Sequence, residues 1–539
     1  MLVAAPLRDA ITHHKDWYMQ QYQHEAATPG QGNGGATGAA PVERRFSGSL
    51  PGSQGAASAP AAEGYGSGPM PVAPRFSGPL PSDPTSGKTT SQPRRAQQAV
   101  PVRPTSVAET GLDPNLLQEL ALKTINNAGG ILSATAVAAQ LRLPLSGLLD
   151  ELLTGLRKEG LIEVAAGATE AVRHLGSNAA SGLVSGSNLV FRLTDLGRAR
   201  TREAFERNGY VGPAPVPFAA YYTTLVAQLQ ARPPVLRALV QQRLSHLVLP
   251  EEVIDQVGVS ITRGGALFIW GHPGNGKTAI AEAIATMLSG GIFIPSAVEV
   301  RGQILPMFDP SVHLPLPLEG LEGSGRIDER WVYCQPPLVP AGGELSLESL
   351  DLQFNERLRL YECPLQLKAA GGVLLIDDFG RQQCSPQTLL NRWIVPLERG
   401  MDFMTLMNGQ KVAFPFAAMV VFSTNLRPSD LVDEAFLRRV PNKIWVNDPT
   451  PEQYREILSR VCRTMGVPFS DTGFLHLLRQ HYQQTRRPMR SCHPRDLLRH
   501  IIALARYYNV QAALTPQLID AACHMYFLSG TQTPEGGDR

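Results

Sequence analysis

The hydrophobic pattern changes character several times along the chain, and each change marks an element boundary. Residues 1–27 predict a short amphipathic helix. Residues 28–104 show no period; Gly, Pro, Ser and Ala dominate. Such a stretch buries too little apolar surface to offset the entropy of ordering its backbone, which predicts a disordered tail. From residue 105 to 215 periodic segments return. "NLLQELALKTI" reads as a helix, and "SATAVAAQLRL" as a second. Leu145, Leu148, Leu149, Leu152, Leu153 and Leu156 fall at helical spacing and predict a third helix over 144–158. "LIEV" and "NLVFRLTD" read as strands, and "LGRARTREAFERNG" as a closing helix. "GPAPVPF", Gly212 to Phe218, is a rigid linker into a helical connection over 216–248.

Beyond it the period changes again. "LFIW", "VLLI", "MVVF" and "KIWV" are short runs with no polar alternation. Strands of this kind are buried on both faces and belong to a parallel sheet with helices between them. The predicted class of residues 249–449 is therefore α/β, followed by an all-helical segment over 450–530 and a disordered end at 531–539.

Composition narrows the function classes. The net charge is +2 over 539 residues, so no general case for nucleic acid or anionic membrane arises. Six cysteines are widely spaced with no C-x-x-C pair, which reads as reduced thiols of a cytoplasmic protein. The N-terminus lacks the apolar core of a signal peptide, and no run of apolar residues is long enough to predict membrane insertion.

The chemistry centres on Gly271-His-Pro273-Gly274-Asn275-Gly276-Lys277-Thr278, which is G-x-x-x-x-G-K-[ST]. An apolar strand precedes it and an Ala-rich helix comes after it. Glycines let such a loop fold with its N–H groups turned inward around phosphate, and the helix N-terminus adds partial positive charge. Lys277 would reach the β- and γ-phosphates, and the Thr278 hydroxyl would hold Mg2+. A phosphate loop calls for a second strand ending in an acid, and "GGVLLIDDFGRQ" supplies it. Asp377 would bind Mg2+ through water, and Asp378 would polarise the attacking water. A third strand, "MVVFSTN", ends in Asn425, whose amide would position that water. "DEAFLRRVPNKIWV" places Arg438 and Arg439 at a short helix end, as a solvated cap or as an arginine finger reaching a neighbouring subunit. "SCHPRDLLRH" places Arg495 at the start of a C-terminal helix.

In this order the motifs resemble the AAA+ ATPase family over about Val235 to Leu528. The resemblance implies a P-loop AAA+ core with a parallel sheet, a C-terminal helical lid, and ATP and Mg2+ as ligands. It makes Asn425 sensor 1, Arg438 or Arg439 the finger, and Arg495 sensor 2. The "VLLIDDFGRQ … MNGQKVAFPFAAMVVFSTN" segment is most similar to the MoxR-like side of the family, where a hairpin precedes sensor 1. Asn408-Gly409 is the expected two-residue turn. The whole is similar to bacterial proteins described as ATPases with chaperone activity. Two departures stand out. Asp378 occupies a position where the family usually has Glu. The interval from Lys277 to Asp377 is long, which predicts an insertion at about 301–366.

The order of elements over 105–215 resembles a winged helix. Between Gly111 and Tyr210 ten basic residues balance ten acidic ones. The third helix carries Asp150 and Glu151 and offers no basic residue before Arg157, so protein contact is favoured over DNA contact. In the tail, "GQGNGG" and "SGKTT" lack the strand and helix a phosphate loop needs. "RFSGxLP" occurs twice, at 45–51 and 75–81, as an inert duplication or a docking peptide used twice.

The resulting expectation is a ring homo-oligomer, a hexamer, that hydrolyses ATP to remodel a protein client. The alternatives are an ATP-dependent DNA-binding regulator and a slow-turnover ATP switch.

Overall fold

The computed structural model describes residues 100–165, 189–318, 326–431 and 434–527. The predicted N-terminal helix, the repeated peptides and the chain end at 531–539 lie outside them. Of the predicted disordered tail only its last residues are described, and they are paired: Val102 bridges Ile327, and Arg103 N donates to Arg326 O at 2.8 Å.

The front unit packs the helix Pro114–Asn127 against two shorter helices and a three-stranded antiparallel sheet. That helix begins at Pro114 because Pro suits the first turn and Asp113 accepts from Asn115 N. Leu148, Leu149, Leu152, Leu153 and Leu156 are all buried, as their spacing predicts. The predicted third helix nonetheless starts late. Ser146 is extended and Gly147 has φ 84°, so regular helix begins only at Asp150. A third strand, Ile131–Ser133, pairs with Val190–Leu193; at three residues after Gly129-Gly130 it left no periodic signal.

The front unit is bolted to the α/β part of the chain. The linker residues Val216–Pro217 form a parallel pair with the strand Ala297–Val300. The buried Arg330–Asp328 ion pair also donates to Pro215 O at 3.0 Å. Arg142 reaches Ser296 Oγ at 3.2 Å.

Five parallel strands form the central sheet: β1 (Ala266–Gly271), β2 (Leu338–Ala341), β3 (Val373–Ile376), β4 (Met419–Thr424) and β5 (Asn442–Val446). Their spatial order is β2-β3-β4-β1-β5. Leu267, Ile269, Leu375, Val421 and Ile444 face the helices Arg237–Leu244, Glu251–Arg263 and Lys277–Met287. Phe268, Leu374, Ile376, Val420 and Phe422 face the other way, onto Trp393 of the helix Pro386–Arg399. Alternate residues of the three inner strands thus fill opposite cores, which is why those runs are apolar, whereas the edge strand β5 leaves Lys443 exposed.

The predicted insertion at 301–366 is not a separate decoration. It contains β2, the edge of the central sheet. Its other strands build a second layer with the helix Phe218–Ala231 and the hairpin Met401–Thr405/Lys411–Pro415. The hairpin also differs from expectation in its turn. A two-residue type I′ turn needs positive φ at both central residues, and only Gly409 has it, at 78°. The connection is a three-residue loop over 407–409, closed by Leu406 N donating to Gln410 O at 2.9 Å.

The C-terminal helices Pro451–Met465, Asp471–His476, His493–Tyr507 and Pro516–Tyr526 enclose their own core around Tyr454, Leu458, Leu498 and Ile519. The first opens with a capping box between Thr450 and Gln453. Among the described residues no helix is long and apolar enough to cross a membrane.

Trp393 is fully buried between the helix and β4. Its replacement by Ala is expected to cost about 3–5 kcal/mol, read as a shift of the urea unfolding midpoint.

Candidate active site

The strand order dictates where chemistry can occur. All five strands are parallel, so their C-terminal ends share one edge, and a ligand crevice forms there. β4 lies between β1 and β3, so Asn425 emerges between the phosphate loop and the acid pair.

The loop leaves β1 at Gly271, whose φ is 151°. A Cβ there would lie 2.4 Å from the Val446 carbonyl oxygen of β5, so only glycine fits. Gly276, with φ 82°, turns the chain left-handed into the helix Lys277–Met287. The first N–H groups of a helix have no partner within it, so the N-terminus of this helix, at the crevice edge, suits an anion.

Lys277 is 7% exposed. Its ammonium donates to His272 O at 2.9 Å and to Asn425 Oδ1 at 2.7 Å, both uncharged oxygens. Burial pushes its pKa down from the ordinary value, and the nearby Asp378 and Asp377 oppose that. Thr278 Oγ1 donates to both oxygens of Asp377, at 3.2 and 3.0 Å. A hydroxyl and a carboxylate so placed are a hard-oxygen donor set, which suits Mg2+. Asn425 Nδ2 reaches Asp378 Oδ1 at 3.4 Å. The amide therefore links the ammonium on one side to the exposed carboxylate on the other. Asp378 has φ 47°, left-handed for a non-glycine residue, and Gln382 fastens the turn by donating to Asp377 O at 2.9 Å.

The tip of the loop is held by the connection after β5 and by the C-terminal unit. Asn275 is buried; its Nδ2 donates to Asp448 Oδ1 at 2.7 Å, and its Oδ1 accepts from Ser491 N at 3.2 Å. Arg490 pairs with the same Asp448, and Cys492 N donates to Gly274 O at 2.9 Å. Pro273 lies within this loop. Sequence reasoning missed Arg490 and Asp448. Neither carries a motif, because each matters only through the approach of two segments distant in sequence. Arg495 sits in the first turn of the helix His493–Tyr507 and pairs with its neighbour Asp496 at 3.6 Å.

The paired arginines are not equivalent. Arg439 is tied to Glu398 at 2.5 Å. The Arg438 side chain is 79% exposed, and its ion pair among the described residues is a 3.5 Å contact to Glu434 one turn away. The two histidines near the motifs also differ. His272 supplies a backbone oxygen to Lys277, and its ring lies 3.4 Å from Asp448. His493 accepts or donates at 2.9 Å with the Tyr482 hydroxyl inside the helical core.

Comparison with known proteins gives three kinds of likeness. Residues 450–525 match a family described as "Domain of unknown function (DUF8689)". Spastin from Anopheles gambiae is 23% identical over 244 residues, 44% of this chain; the match spans only 23% of spastin's own length. Among solved structures, NtrX from Brucella abortus in complex with ADP covers 62% of this chain and 68% of its own, at 14% identity and a TM-score of 0.33. The RuvB Holliday junction branch migration motor of Thermotoga maritima covers 55% of this chain and 72% of its own, at 14% identity and a TM-score of 0.29.

Burial, with Arg490 and Arg487 nearby, pushes His493 down from 6.5 to about 4. Between those values the unfolded chain binds a proton that the folded one does not, so stability falls as pH drops through this window. His493→Gln is expected to flatten the fall in Tm between pH 6.5 and 4, measured by thermal melts against the wild type.

Proposed function

We propose that this chain is an ATP hydrolase of the AAA+ type that works as a ring of identical subunits. The observation that carries the reading is the single hydrogen-bonded network of Lys277, Asn425, Asp378, Asp377 and Thr278 at the shared edge of the parallel sheet. The likeness to spastin accompanies this reading.

In this reading the phosphate chain lies across the N-terminus of the helix Lys277–Met287. Lys277 exchanges its neutral oxygens for the β- and γ-phosphates, which gives its buried charge an anion. Thr278 and Asp377 would hold Mg2+, which neutralises phosphate charge when bound. Asn425, released from Lys277, and Asp378 orient the water that attacks the γ-phosphorus; ADP leaves, and the water proton passes to the Asp378 side. Arg438, exposed at its helix end, would enter the site of a neighbouring subunit and stabilise charge in the transition state. Arg439 would hold the helix that presents it. Arg490, Ser491 and Arg495 would report nucleotide occupancy to the helical lid.

The work done is remodelling of a protein client, recruited through the front unit, which we read as a winged-helix-like module of balanced charge. A hexamer is the ring this family resemblance favours. One observation favours a slower variant, an ATP-dependent switch. Asp378 is a methylene shorter than the usual Glu, and the 3.4 Å reach from Asn425 is long for a hydrogen bond.

Steady-state ATP hydrolysis tests both. Arg438→Ala is expected to lower turnover by about 100-fold or more while ATP still binds, and Arg439→Ala to lower it far less. Equal losses would remove the finger assignment. Asp378→Asn is expected to lower kcat by roughly 100-fold or more with little change in ATP affinity. Wild-type turnover no faster than that of Asp378→Asn would leave only the switch.

A further inference from the structure

The C-terminal unit holds a second group of chemistry-bearing side chains, none of them part of the phosphate-loop network. His476 ends the helix Asp471–His476, and His481 lies in the π-helical turn Leu477–Gln483 that continues it. Five residues apart on a regular α-helix, two side chains would diverge by about 140°. A π turn closes with i→i+5 bonds, such as Gln484 N to Arg479 O at 3.0 Å, and stacks residues five apart on one side. Both imidazoles therefore face the helix Pro516–Tyr526, where Asp520 meets them. His476 Nε2 and His481 Nε2 each lie 2.7 Å from the same oxygen, Asp520 Oδ1.

The three ligand atoms lie within 4.8 Å of one another. The histidine side chains are 25% and 19% exposed, and Asp520 is 53% exposed, so the group is walled on the imidazole side and open to water on the carboxylate side. The backbone of His481 is pinned: its carbonyl accepts from Thr485 Oγ1 at 2.6 Å and from Arg487 Nη1 at 3.0 Å.

The geometry points to a binding site for a zinc-class dication formed by His476 Nε2, His481 Nε2 and the Asp520 carboxylate, with a fourth position open to water. Two imidazoles with one carboxylate suit a borderline metal and not Mg2+ or Ca2+, which take oxygen ligands. Zinc–ligand bonds of ~2.0–2.1 Å in a tetrahedron put donors roughly 3.3 Å apart, so the present 2.7 Å contacts need to open by only ~0.6 Å. The ion would cross-link the Asp471–Gln483 segment to the helix Pro516–Tyr526.

The test uses the full chain, stripped with EDTA and titrated with Co2+ as a visible probe. One saturable ligand-field band is expected, displaced by Zn2+ and indifferent to excess Mg2+. The His476→Ala/His481→Ala double variant is expected to bind at least ~100-fold more weakly, and Zn2+ is expected to raise Tm in the wild type but not in that variant. Because His13, His14 and His24 lie elsewhere in the chain, a band of equal affinity in the double variant would overturn the site. So would the absence of any band together with an unchanged Tm, which would leave a histidine–carboxylate hydrogen-bond cluster. Should the double variant not fold, Asp520→Asn keeps the shape and is expected to lose the Zn2+-dependent rise in Tm; a retained rise would count against the assignment.

Discussion

A buried ammonium whose hydrogen bonds go to neutral oxygens is the constraint around which the phosphate-loop end of this molecule is arranged. Lys277 sits at the first position of its helix, away from water, between a backbone carbonyl and an amide oxygen. A charge so placed is costly unless an anion joins it. The helix N-terminus adds partial positive charge at the same place, and the positive φ of Gly271 and Gly276 lets the loop turn into it. The acids stand one strand further along, on β3, and Asn425 of β4 spans the gap. This geometry comes from inserting β4 between β1 and β3, so the strand order and the chemistry are the same fact seen at two scales.

The second consequence concerns the C-terminal helices. They are a folded unit with its own core, yet they reach the phosphate loop through Arg490, Ser491 and the backbone of Cys492, with Asp448 of the connection after β5 paired to both Asn275 and Arg490. Asn275 is the residue both sides share. Any ligand that reshapes the loop must alter these bonds, so the loop and the helical unit are coupled by contact. The front unit, by contrast, is joined to the α/β core by strand pairing at Val216–Pro217 and by the buried Arg330, which donates to Pro215 O while paired to Asp328.

Much of this was legible in the sequence because local patterns carried it. Apolar runs without alternation predict strands buried on both faces, and four of the five central strands were legible that way, although the edge strand β5 leaves Lys443 exposed. The fifth, β2, did not: "LVPA" contains a proline and sits inside what reads as an insertion, tolerated because β2 is an edge strand. Gly147 broke a helix that its leucines predicted, since a positive φ overrides spacing. Asn408-Gly409 marked the hairpin but not its loop length, because the pair fits more than one turn. Residues such as Arg490, Asp448 and the His476–His481–Asp520 group were invisible for a different reason. Their meaning lies in tertiary approach and, for the histidines, in a π turn that no period of 3.6 predicts.

The most direct measurement is the affinity of the full chain for ATP with Mg2+, by titration calorimetry, for the wild type and for Lys277→Ala. Saturable one-site binding by the wild type that weakens by about 100-fold or more in the variant is the predicted result. Equal affinity in the two proteins, or no binding by the folded wild type, would contradict the assignment of this buried ammonium to a phosphate.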